Sequence, residues 1–60
     1  MFMSIKEMKE YADGTVFTKN HIPFYKWADG LYCPVNHHLY TWWNIEFNKM
    51  NEGMQTEAVK

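Results

Sequence analysis

Cys33 is the only cysteine in a chain of sixty residues, so no internal disulfide can hold the fold together. Stability must come from burying apolar surface, and a domain of this size buries only about 60% of what its unfolded chain exposes. Large rings give the most buried area per residue. The sequence is rich in them: 18% of residues are aromatic, four Phe, four Tyr and three Trp. That is more than one small core encloses. The excess is expected on the surface, where Tyr and Trp are over-represented in binding hot spots.

Hydrophobic residues make up 47% and charged residues 22%, the balance of a globular chain rather than a disordered one. One domain over residues 1–60 is expected, with residues 1–3 and 52–60 frayed. No apolar run approaches the ~20 residues that span a bilayer, so no membrane partner is expected. The opening Met1-Phe2-Met3-Ser4-Ile5-Lys6 lacks the charged-then-apolar order of a signal peptide. Together with the lone thiol, this points to a reducing cytoplasm.

A net charge of −1 weighs against two roles common among very small proteins. A sequence-independent DNA binder needs a surplus of Lys and Arg to release counterions from phosphates. A DNA mimic needs an equally large acidic surplus. All the basic residues here are lysines (Lys6, Lys9, Lys19, Lys26, Lys49, Lys60), so the bidentate guanidinium fork for guanine edges and phosphates is absent.

Along the chain, Ser4 followed three residues later by Glu7 is a capping box that starts a helix. Met3 and Met8 are placed for its hydrophobic staple. Ile5, Met8 and Ala12, with Tyr11 at the edge, form an apolar stripe at helical spacing, and Asp13-Gly14 ends it. From Thr15 the period changes to two. Residues 15–18 read as a strand, Lys19-Asn20-His21 as a polar break, and residues 22–28 as a second strand restricted to an edge or a strand start by Pro23. Asp29-Gly30 marks a tight turn before a returning strand at 31–35, and Asn36-His37-His38 marks the next turn. The expected fold is α+β: a short N-terminal helix, then a three- to four-stranded antiparallel meander. The stretches 13–17 and 26–32 resemble the paired strands of small SH3-like barrels, which implies a partly open barrel.

Residues 39–47 fit two periods. As a strand, Leu39, Thr41, Trp43, Ile45 and Phe47 share one face, with Tyr40, Trp42, Asn44 and Glu46 on the other. As a helix, Leu39, Trp43, Phe47 and Met50 align, with Asn36 as cap and Gly53 as stop. The aromatic and β-branched composition favours the strand. On that reading Phe24, Trp43, Ile45 and Phe47 make the core face.

Three constellations hold residue types that can carry chemistry. His21, Cys33, His37 and His38 are metal-ligand types, but the paired spacing of small zinc domains is missing, and no metal or cofactor is expected. Cys33 has a histidine four residues away, yet Pro34 beside it and no nearby helix start leave the thiol without activation, so it is expected in the core. Asp13 and Asp29 are explained as turn residues before glycine, and the other acids are scattered. No catalytic residue is expected.

The aromatics carry the functional signal. Tyr25, Trp27, Tyr32, Tyr40 and Trp42 are the candidate partner-binding residues, a Tyr/Trp strip suited to a protein contact or to base stacking. The expected function is a non-enzymatic protein-binding module. In size, in its Lys/Asn/Met/Tyr-rich and arginine-free usage and in its surplus of rings, the chain resembles the small stand-alone proteins that bacteriophages make to subdue host enzymes or defence systems. That resemblance implies an inhibitor or modulator docking on a larger host protein in the host cytoplasm. A small barrel that stacks single-stranded nucleic acid is the alternative, and a homodimer is a third arrangement open to so short a chain.

Overall fold

The computed structural model describes residues 3–57. Its elements are α1 (Ile5–Lys9), β1 (Val16–Lys19), β2 (Ile22–Trp27), β3 (Gly30–Cys33), β4 (His38–Thr41) and α2 (Trp42–Phe47). The strands form one antiparallel sheet in the order β1-β2-β3-β4, so the α+β meander is as expected. The sheet stays open, and a second helix follows it. No helix among the described residues is long and apolar enough to cross a membrane.

Local chemistry accounts for most boundaries. Ser4 caps α1, its hydroxyl accepting from the Glu7 amide at 3.1 Å. Asn20 and His21 join β1 to β2 with φ of 53° and 67°. Two positive φ values in a two-residue loop make a type I′ turn, whose twist matches the flanking strands. Ala28 and Asp29 turn between β2 and β3, and Gly30 begins β3 paired with Trp27. Only glycine fits there: a Cβ on Gly30 would fall 2.1 Å from the Tyr40 carbonyl oxygen. Its φ of +152° also disfavours any side chain.

Alternation along the strands separates two faces. Phe17, Phe24, Leu31 and Cys33 point inward and are buried with Met3, Met8, Ile45 and Met54. Met8 and Ile45 come from the two helices, which therefore cover this face. Lys26 also points inward and is only 6% exposed. Its ammonium escapes along the core rim to Asp13, 3.0 Å away, so its stem packs while its charge is paired.

Residues 39–47 use both of their periods in turn. Thr41 is the hinge: it pairs with Gly30 as the last residue of β4, and its hydroxyl caps α2 by accepting from the Asn44 amide. The single strand expected over this segment is thus corrected beyond Thr41. The cap is Thr41 and not Asn36, and the stop is Lys49 and not Gly53. Lys49 takes φ 54°, while the amides of Lys49 and Met50 reach back to the carbonyls of Glu46 and Ile45. That is a Schellman motif with lysine in the place glycine usually fills.

The expected fraying is corrected as well. Asn51 is buried and donates to the Met3 carbonyl at 2.6 Å, and Met54 is fully buried. Gln55 and Thr18 exchange two backbone hydrogen bonds of 2.8 Å, and the Thr56 hydroxyl donates to the Val16 carbonyl. Residues 51–56 therefore clasp the edge of β1. The remainder of the fraying expectation, at residues 1–2 and 58–60, lies outside the described residues.

Candidate interaction surface

The outward face of the sheet is built by register. Val16 lies opposite Tyr25, Tyr25 opposite Tyr32, and Tyr32 opposite Leu39, giving one apolar and aromatic row across all four strands. The next row holds Trp27, Gly30 and Thr41, and the row on the other side holds Thr18 and Pro23. Neither helix contributes to this side. Trp27 is 46% exposed, Val16 and Leu39 are exposed, and Tyr25 and Tyr32 are half-buried by their neighbours. No strand residue on this face carries a charge.

Two shallow clefts border the row. One, of about 440 Å³, is lined by Asp13, Trp27, Ala28, Asp29, Tyr32 and Leu39. The other, of similar volume, lies between β1 and the clasp, against Val16, Thr18 and Gln55. The Tyr32 hydroxyl meets His37 Nδ1 at 3.2 Å, which fixes the ring against the β3–β4 loop.

Of the five candidate residues, the structure brings together Tyr25, Trp27 and Tyr32. Tyr40 and Trp42, expected on the same surface, are corrected. Tyr40 points inward from β4, its ring 6.0 Å from Phe24 and edge-on to it, and its hydroxyl accepts from Asn36 Nδ2 at 2.7 Å. Trp42 lies in the first turn of α2 and packs against the core. Its indole N–H donates to the Ala28 carbonyl at 2.8 Å, tying α2 to the β2–β3 turn, and Lys9 Nζ lies 5.8 Å from the ring centroid.

Trp43 and Phe47 are corrected in the opposite sense. Both were expected in the core, and they are 67% and 70% exposed. Four residues apart on α2, they occupy the side away from buried Ile45, stacked on each other at 5.0 Å with planes 9° apart. Val16, Leu39 and this pair are the surface residues the sequence reading missed. Cross-strand register identifies the first two, and recognising Thr41 as a helix cap would have identified the pair.

The titratable groups do not converge. Cys33 is buried on the inner face, His21 sits in the β1–β2 turn, His37 contacts Tyr32, and His38 packs edge-on to Tyr40 at 4.5 Å. Among the described residues no three His, Cys, Asp or Glu side chains gather where they could hold a metal ion. The arrangement offers rings and an uncharged sheet face to a partner. No family model, curated protein or solved structure matches this chain.

Proposed function

We propose that the chain is a non-enzymatic protein-binding module that docks on a larger protein through the outer face of its sheet. The observation that carries this reading is the row Val16, Tyr25, Tyr32 and Leu39 with Trp27 beside it, an uncharged aromatic surface that neither helix covers. Aromatic anchors at the centre of a face with polar groups at its rim are the usual make-up of a binding hot spot. Asp29, at the rim of the Trp27 cleft, favours a partner with a basic border. In keeping with its resemblance in type to bacteriophage proteins, its action is to inhibit or modulate a host enzyme or defence complex in the cytoplasm.

Base stacking by single-stranded nucleic acid is a second reading, supported by the same rings on an open sheet. The placement of the lysines counts against it. Lys6 and Lys9 are on α1, Lys19 and Lys26 have the inward parity of their strands, and Lys49 ends α2. Among the described residues no lysine stands on the outer face to neutralise phosphate.

A photo-crosslinking residue at position 27, compared with one at exposed Val35 in the β3–β4 loop, tests the proposal in cells expressing the protein. Crosslinks to one protein species from position 27, absent from position 35, are expected. Identical patterns from both positions would sink the reading. Saturable quenching of tryptophan fluorescence by an oligonucleotide would replace it with the second.

A further inference from the structure

The two edges of the sheet are treated differently. The β1 edge is clasped by Gln55 and Thr56. Among the described residues β4 pairs only with β3, so its other edge is bare. Its sequence, His38-Leu39-Tyr40-Thr41, has none of the lysine, proline or bulge that usually guards an edge against pairing. The helix that leaves this strand without a loop, α2, packs beneath β4 and β3 and carries the exposed Trp43–Phe47 stack on the side turned from the core. The bare strand edge and the uncovered aromatic pair thus belong to consecutive elements, joined at Thr41.

We infer that the two together form the interface of a homodimer, in which β4 pairs antiparallel with β4 of a second copy. A two-fold axis beside β4 brings the two α2 helices side by side under the joined sheet, because each packs beneath its own β4. Each Trp43–Phe47 stack then closes on that of the other copy. The partner must supply a strand edge and, next to it, an apolar helix face. A second copy supplies both in the required relative position, which is the self-complementarity of an isologous contact.

Magnitudes limit the strength of this contact. Four residues of strand pairing give little by themselves. Two rings, each burying on the order of 150–250 Å², fall short of the ~800 Å² per partner of a standard interface. The dimer is therefore weak and concentration-dependent. Its effect is to extend the outer row to Val16, Tyr25, Tyr32 and Leu39 twice over, in one continuous eight-stranded sheet. A bivalent target would then be held more tightly than either face alone can hold it. The dimer does not depend on which partner the outer face takes.

Sedimentation equilibrium across a wide dilution series tests it. The expected mass rises from that of one 7.3 kDa chain to twice that value. The double variant Trp43→Ala/Phe47→Ala should stay folded and weaken association by ~30-fold or more, the scale of a hot-spot loss. Hydrogen exchange on the unaltered protein gives a reading that needs no variant: amides of His38–Thr41 should gain protection with concentration while those of Val16–Lys19 do not. A single-chain mass at every concentration, association indifferent to the double variant, or concentration-dependent protection elsewhere than β4 would each overturn the inference.

Discussion

The inner and outer faces of the sheet are made by alternate residues of the same strands, yet they sort their rings differently. Inside are Phe17 and Phe24, with Leu31 and Cys33, all buried. Outside are Tyr25, Trp27 and Tyr32, half-buried or exposed. Phenylalanine has nothing to lose by full burial, whereas a phenol or indole needs a partner for its O–H or N–H. Tyr40 and Trp42 show the rule from the other side: they pack against the core because Asn36 and Ala28 give their polar atoms partners at its rim. Aromatic content alone therefore does not say which rings are core. On the sheet the polar handle does, together with what stands within reach of it; Phe47 on α2, 70% exposed, lies outside that rule.

The largest expected contrast between the faces is between Phe17→Ala and Tyr25→Ala. Emptying the Phe17 site should cost ~3–5 kcal/mol, enough to unfold most of the population of so small a domain. Tyr25→Ala should cost about 1 kcal/mol. Equal melting temperatures for the two variants would abolish the distinction. Gly30→Ala should lower stability by about 3 kcal/mol, since the added methyl meets backbone and not a movable side chain. Chemical denaturation monitored at the tryptophans would measure it.

The neighbours Trp42 and Trp43 sharpen the comparison on α2. Trp42→Ala should cost about 2–3 kcal/mol through lost packing and the lost bond to Ala28, and Trp43→Ala less than about 1 kcal/mol. The reverse order in thermal melts would mean that α2 is rotated about its axis. On the outer face, Trp27→Ala should leave the fold intact and weaken partner binding by about 2 kcal/mol, read by titration calorimetry once crosslinking has supplied the partner. The smallest effect has the opposite sign. Lys49→Gly should raise stability by about 0.5–1 kcal/mol by relieving a left-handed lysine, with binding through either surface unchanged.

The first helix, three of the four strands and the meander order were legible because each rests on a local signal: the Ser4 cap, period-two runs and turn dipeptides. The stretch after Thr41 was not, because residues 39–47 satisfy both periods and the change between them falls on one residue with two roles. Reading that stretch as a single strand inverted the exposure of both Trp42 and Trp43. The clasp was illegible for a different reason. Met54 is a lone apolar residue among polar ones, with no period to betray it, and Gln55 pairs with a strand far away in sequence. Of the candidate surface, alternation along the second strand put Tyr25 and Trp27 on one face, and the register places Tyr32 beside them. Val16 and Leu39 required knowing which residue faces which across the ladder.

The clasp also governs how the molecule comes apart. The β1–β2, β2–β3 and β3–β4 pairings are between strands adjacent in sequence and close small loops, so they form early and cheaply. The contacts of Asn51 with Met3 and of Gln55 with Thr18 join residues 48 and 37 positions apart (51 − 3 and 55 − 18) and carry the largest entropic cost. They should be the first to open in native-state fluctuations, as a unit that includes Met54. Each opening uncovers core side chains together with the unpaired edge of β1, a template for strand addition by neighbouring molecules. How often a few C-terminal residues let go thus sets how often a second strand edge, besides that of β4, is offered to neighbouring molecules.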